Sequence, residues 1–271
     1  MEERMFNRGK GNILGVLIDA VDYEGAVEIV VRAAKEKEPA AVSALAVHGL
    51  MTGVLDHEHR FRLNHFNLLV PDGQPVRWVL NAFYDKKLQD RVYGPNLTLM
   101  ICARAAKEGL PVYFYGSTPE IVTALAPALQ KRFPGLVVSG VEPSRFRQLT
   151  SEEKYELVSR IRNSGAALVF VGLGCPRQEV FAYEFRDLLG LPVLAVGAAF
   201  PFLAGVLPQA PAWMQNAGLE WFYRLLREPQ RLWRRYLFLN PAYLFLVALQ
   251  ALGLSKFSTR GRPPMRELLY G

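Results

Sequence analysis

ALVFVGLGCPRQE, residues 167–179, decides how the chain is read. A short run rich in Val, Leu and Phe stops at Gly172, and Gly174 and Pro176 follow before Arg177, Gln178 and Glu179 restore polarity. A run of this length and composition, bounded by Gly and Pro, has the signature of a strand buried on both faces, followed by a turn that opens a helix. The same alternation recurs outward in both directions. Apolar runs lie at 13–18, 41–47, 66–70, 112–115, 136–139 and 193–196. Helical periodicity is predicted at 23–37, 96–108, 118–133 and 151–163, the last opened by Thr150 or Ser151 with acids in its first turn. Strands alternating with helices predict an α/β fold, a largely parallel sheet with helices on both faces.

In such sheets ligands sit outside the carboxyl ends of the strands. The residues that follow each run are therefore the candidates for chemistry. After 66–70 comes Pro71-Asp72-Gly73. A carboxylate there can act as a general base on a substrate hydroxyl, although Pro-Asp-Gly is equally turn chemistry. After 112–115 come Gly116, Ser117 and Thr118 with Pro119, either a plain capped helix or an N-terminus offering free N–H groups to a phosphate. In the opening stretch, Gly172 and Gly174 permit close approach of backbone to a ligand, and Arg177, Gln178 and Glu179 add groups suited to a diphosphate or a sugar hydroxyl. Read blandly, it is a strand-to-helix turn with Glu179 in the first turn. Arg91, in DRVYGPNL, can neutralise phosphate charge or simply be a surface residue.

All four histidines, His48, His57, His59 and His65, fall in one segment with Asp56 and Glu58. The spacing of His57 and His59 places them on different faces of a helix, and HExxH is absent, so an exposed polar helix is expected and no metal site. His48, after a strand end, stays a candidate for substrate binding. Cys102 and Cys175 form neither a disulfide framework nor CxxC, and fit a reducing compartment. The N-terminus lacks a signal-peptide core, which places the body in the cytoplasm.

Charge is distributed unevenly. From Leu219 onward there are eight Arg and one Lys against three Glu, whereas the rest of the chain is nearly neutral. Arg224, Arg227, Arg231 and Arg234 recur every three or four residues and would share a face on one continuous helix, unless Pro229 breaks it or starts a second. An apolar run at 236–254 follows, about 28 Å long as a helix. That barely matches the roughly 30 Å bilayer core, and Asn240, Pro241 and Gln250 interrupt it. An interfacial element on an anionic membrane is the better expectation, with a helix packed on the body or another subunit as the plain alternative. Nucleic acid is a poor partner for so apolar a tail. The chain divides into residues 1–211, a catalytic body, and 212–271, a helical basic and apolar appendage that holds it peripherally on the inner face of the membrane.

Taken together, PDG at 71–73, RVYGPNL at 91–97, FYGSTPE at 114–120, FPG at 133–135, VGLGCPRQE at 171–179, VGAAFPFLAG at 196–205 and LEWFYRLLREPQRLWRRY at 219–236 resemble the WecG/TagA/CpsF family of bacterial glycosyltransferases. The resemblance covers roughly residues 12–236. It implies a Rossmann-like body and an inverting, metal-independent transfer, with no cofactor, from a nucleotide sugar, usually a UDP-sugar, to a polyprenyl-diphosphate-linked saccharide. It implies Asp72 as the base, Arg91 as a ligand of the leaving diphosphate or of the acceptor, Gln178 as a substrate contact, and Arg224, Arg231 and Arg234 as the appendage's positive charge. Four positions, in three motifs, depart from the family pattern. Ala44 and Ala46 stand where it often has Thr-x-Asn, Asn96 replaces the aspartate of GxDL, and Gln209 replaces the arginine of RAP. These positions are candidates for reading the sugar, so the resemblance leaves the donor open. A homo-oligomer is compatible with this reading. The competing readings are a non-catalytic nucleotide- or phosphate-binding module recruited to membranes by its tail, and a metal-dependent hydrolase built on the histidines.

Overall fold

A computed structural model describes residues 7–271, apart from the side chains of residues 216, 231, 234 and 235. The chain begins with strands β1 (Asn7–Ile13) and β2 (Val16–Val21), then helix α1 (Tyr23–Glu36), β3 (Ala40–Leu45), α2 (Val47–Leu55), α3 (His57–Asn64), β4 (Leu68–Pro71), α4 (Gln74–Tyr84) and α5 (Gly94–Glu108). It continues through β5 (Val112–Tyr115), α6 (Pro119–Arg132), β6 (Val138–Glu142), α7 (Ser151–Asn163), β7 (Leu168–Val171), α8 (Arg177–Leu189), β8 (Pro192–Ala195) and α9 (Ala199–Leu203). The appendage holds α10 (Ala212–Asn216), α11 (Glu220–Arg227), α12 (Pro229–Arg234), a π-helical turn (Arg235–Leu239) and α13 (Asn240–Ala251).

Six strands form one parallel sheet in the order β4-β3-β8-β7-β5-β6. Alternate residues of β3, β4, β5, β7 and β8 enter separate cores, so both faces of the sheet are dry up to the β6 edge. Val169 and Val171 face the core built with α2, α3, α4, α7 and α8, whereas Leu168 and Phe170 face the core built with α1, α5, α6 and α9. This is the double burial that near-continuous apolar strands encode. Helix starts follow local chemistry: Thr150 and Glu153 close a capping box on α7, and Asp22 accepts the Gly25 N–H at the start of α1.

Two segments differ from the expectation. The run at 13–18 does not form a strand of the parallel sheet. It turns at Leu14 and Gly15, with φ of 52° and 92°, into the antiparallel hairpin β1–β2. The hairpin closes the β4 edge: Asp19, buried, accepts the Leu69 N–H at 2.8 Å and lies 3.5 Å from Lys10 Nζ. The histidine-bearing helix α3 is not an exposed polar helix, because His59, Arg60 and Arg62 are buried. Residues 256–262 lie across it. Asn64 Nδ2 donates to the Thr259 carbonyl, Arg262 N–H donates to the His57 carbonyl, and a Cβ on Gly261 would stand 2.5 Å from Phe61 N.

That segment belongs to an extended strap that follows α13. The strap runs on to Glu184, whose carboxylate accepts the Leu268 and Leu269 N–H groups, and to Ser144, whose hydroxyl donates to the Gly271 carbonyl. Lys154 pairs with Glu267 at 2.6 Å. Helix α13 is likewise seated on the body. Tyr243, 2% exposed, donates to the Pro75 carbonyl, and the Gln250 amide bonds both Leu14 N–H and the Asn12 carbonyl. Among the described residues no helix is long and apolar enough to cross a membrane.

Candidate active site

Strand β4 ends at Pro71 and delivers Asp72 to the carboxyl edge of the sheet, where its N–H donates to the Leu45 carbonyl at the end of β3. One carboxylate oxygen, Oδ1, accepts the Gly94 N–H at 2.8 Å. Gly94 is the first residue of α5, and a Cβ there would stand 3.3 Å from that of Ala44. The dense surroundings push the Asp72 carboxyl up to about 6, with Glu220 adding to the rise and Arg91, the Gly94 N–H and Arg224 opposing it. Near neutral pH Asp72 is ionised, yet a stronger base than an ordinary carboxylate, which suits proton removal from a hydroxyl.

Arg91 lies between α4 and α5 and is buried. Its Nη1 donates to the Asp72 carbonyl at 3.3 Å, its Nη2 to Glu220 Oε2 at 2.6 Å, and the guanidinium sits 4.3 Å from the centroid of the Tyr93 ring. Gln215 Oε1 also accepts from Nη2 at 3.5 Å, and Gln215 Nε2 donates to the Ala210 carbonyl. Helices α10 and α11 are therefore seated on the sheet's carboxyl edge. One turn past Glu220, Arg224 lies over the Phe202 ring at 5.8 Å and 3.8 Å from Glu228. Pro229 opens α12, so Arg224 and Arg227 sit on a different helix from Arg231 and Arg234, whose side chains lie outside the described residues.

A second polar cluster occupies the ends of β3, β7 and β8. Gln178 and Glu179, both buried, open α8. Glu179 Oε1 accepts from Ser43 Oγ at 3.1 Å and from Gln178 Nε2 at 2.8 Å, while burial holds its carboxyl above the usual range. Gln178 Oε1 has no hydrogen-bond partner among the described residues, and a Cβ on Gly197 would stand 2.6 Å from it. A buried acceptor left open at the edge of the sheet suits a ligand hydroxyl.

The glycines divide by role. The space beside Gly172 is filled by the Phe200 ring, 2.5 Å from a would-be Cβ, and Gly116 abuts the Gly172 backbone at 3.0 Å. Their close approaches are internal to the fold. Gly174, with φ of 78°, meets only open space. Ser117 has φ of 65°, and its carbonyl accepts the Ser144 N–H. Arg177 is exposed and lies 5.6 Å from the Tyr270 ring of the strap. His48 sits in the first turn of α2, beside Gly49, whose would-be Cβ is 3.5 Å from Cys175 Sγ. Among the described residues no three His, Cys, Asp or Glu side chains are placed to hold a metal ion.

Comparison with known proteins gives this geometry a context. The model of the glycosyl transferase WecG/TagA/CpsF family matches residues 11–257. The chain belongs to this family. Two relatives are named N-acetylglucosaminyldiphosphoundecaprenol N-acetyl-beta-D-mannosaminyltransferase. One, from Bacillus subtilis (strain 168), is 27% identical over 213 residues, 78% of this chain and 80% of the relative. The other, from Bacillus spizizenii (strain ATCC 23059 / NRRL B-14472 / W23), is 31% identical over 186 residues, 68% of this chain and 69% of the relative. The protein is thus a glycosyltransferase of the WecG/TagA/CpsF type, not a non-catalytic binding module.

Within this WecG/TagA/CpsF framework the departures take up definite places. Ala44 lies near the end of β3 beside Gly94, and Ala46, the cap of α2, lies beside Gly73, next to Asp72. Asn96 and Gln209 line one cleft of about 410 Å3, together with Leu99, Leu129, Arg132 and Phe202. Sequence reasoning missed Gln215, Glu220 and Tyr93. Tyr93 lay inside the quoted RVYGPNL motif and Glu220 inside the appendage motif, but neither had an assigned chemistry.

Proposed function

We propose that this glycosyltransferase moves a sugar from a nucleotide donor, most simply a UDP-sugar, to a saccharide linked to polyprenyl diphosphate, with inversion and without a metal, in the making of a cell-surface or wall polymer. The observation that carries the reading is Asp72 beside Arg91 at one strand edge, with the guanidinium on the Asp72 backbone carbonyl, under helices contributed by the appendage. The names of the two relatives support a polyprenyl-diphosphate-linked acceptor.

An acceptor hydroxyl is a weak nucleophile near neutral pH. Asp72 takes its proton as the oxygen attacks the anomeric carbon, the glycosidic bond to the nucleoside diphosphate breaks on the opposite face, and the leaving diphosphate gains negative charge. Arg91 and the appendage arginines, Arg224, Arg231 and Arg234, stabilise that charge or hold the acceptor's diphosphate. Gln178 offers its open carbonyl oxygen to a substrate hydroxyl, and Arg177, Glu179, His48, Gly174, Ser117 and the backbones of Gly116 and Gly172 form the remaining wall of the donor site. Asn96 and Gln209, sharing one cleft, are the positions proposed to read the sugar. The exposed side chains of Trp221, Phe222, Leu226, Trp233, Phe238 and Phe245 suit an anionic membrane surface and support the reading of a peripheral enzyme, proposed to work on the cytoplasmic face.

The test is a donor screen against a lipid-linked acceptor, scoring nucleoside diphosphate release with and without a strong chelator. Transfer that persists in chelator and vanishes in Asp72→Asn is the expected result. Full activity in Asp72→Asn removes the proposed base, and loss of turnover in chelator removes the metal-independent mechanism.

A further inference from the structure

The Asp72 carboxylate and the Arg91 guanidinium are neighbours, and yet they do not form an ion pair. Arg91 reaches only the backbone carbonyl of Asp72. Its shortest contact, 2.6 Å, goes to Glu220 of the appendage. Both side chains of that pair are nearly buried, at 9% and 13% exposure, so the contact is not a screened surface encounter. The Tyr93 ring lies against the guanidinium, and Gln215 accepts from the same nitrogen as Glu220. On the carboxylate itself, Oδ1 takes a single N–H, from Gly94.

This arrangement solves a conflict built into the proposed reaction, on which the inference rests. An arginine next to a general base lowers the basicity of that base if the two pair directly. A buried guanidinium left without a carboxylate would turn to Asp72, the anion whose charge acts on it most strongly. We propose that Glu220 is a positioning residue: it holds the Arg91 guanidinium away from the Asp72 carboxylate, leaving that carboxylate free to take the acceptor's proton and Arg91 aimed at the diphosphate. The charged and titratable groups around Asp72 are Asp90, Arg91 and Tyr93 from the segment before α5, Glu220 and Arg224 from α11, and Tyr23 from α1. Of these, Glu220 is the one whose charge both raises the proton affinity of Asp72 and occupies Arg91. Because Glu220 belongs to α11, the base is set to its working state only when the appendage is docked.

The experiment compares wild type, Glu220→Gln, Glu220→Asp and Asp72→Asn for transfer to a polyprenyl-diphosphate-linked acceptor, as full-length protein, across pH 5–8. Wild-type transfer abolished by Asp72→Asn establishes the underlying reading independently. Given that, Glu220→Gln should lower kcat by about tenfold with little change in donor KM, since the basicity of a positioned base sets the proton-transfer rate. Its acid limb should move to lower pH, because Asp72 loses a neighbouring anion and gains Arg91. Glu220→Asp should recover part of the rate and return the limb toward its wild-type position. Thermal unfolding of each variant separates this from misfolding. Glu220→Gln that is as fast as wild type, or slower with an unmoved acid limb, overturns the proposal.

Discussion

At the residue scale, the reaction and the stability of the fold ask opposite things of Asp72. Its carboxyl titrates near 6 in the folded protein, chiefly through burial, against about 4 in an unfolded chain. Two pH effects follow. As the proposed base, Asp72 must be ionised, so kcat/KM should fall as pH drops through about 6, read from a pH-rate profile. Stability runs the other way. Between the two values the folded protein binds the proton more tightly, so this group's stabilisation is complete below the unfolded value and is lost as pH rises through the folded one. Asp72→Asn should therefore unfold at a higher temperature than wild type at pH 7.5, by on the order of 1 kcal/mol, with no gain at pH 4. Calorimetry at the two pH values checks both signs.

At the scale of elements, α13 carries two apolar faces with different work. Tyr243, Leu246 and Val247 pack on the body, whereas Leu244 and Phe245 are more than 60% exposed. Leu244→Ser with Phe245→Ser should reduce binding to anionic vesicles in a flotation assay while leaving unfolding temperature nearly unchanged. Tyr243→Phe should do the reverse, costing about 1 kcal/mol through the lost bond to Pro75 with vesicle binding retained. How far these elements could be read from the sequence varied with their physics. The strands β5, β7 and β8 and helix α7 were legible because Val112–Tyr115, Leu168–Val171 and Ser151–Asn163 carry both their own propensity and their own boundaries. The hairpin was not, since its turn places Leu14, not a glycine, at positive φ ahead of Gly15. Asp72 could be located by its place after a strand. Glu220 could not be assigned its partner, because Arg91 lies 129 residues away and only the tertiary fold joins them. The burial of α3 was hidden for the same reason, since the strap that covers it has no periodicity at all.

At the scale of the whole molecule, the body and appendage are joined by the peptide chain at Pro211, by Arg91 with Glu220, by Tyr243 and Gln250 of α13, and by the strap that follows it. The strap presses on backbone at Gly261, whose Cβ would collide with the Phe61 backbone and the His57 carbonyl. Gly261→Ala should destabilise the protein by about 1–3 kcal/mol, as overpacking against backbone does, and hydrogen exchange should quicken in α3 and in residues 256–262 before it does in the sheet. The strap also changes what a broken chain would look like. Arg227 is exposed where α11 ends, so trypsin has a site between the two halves of the appendage. A cut there severs one connection and leaves the rest, because residues 228–271 still own Tyr243, Gln250 and the entire strap. The two fragments should elute together from a native sizing column and separate only in denaturant, which would make this enzyme a candidate for reassembly from two separately produced polypeptides.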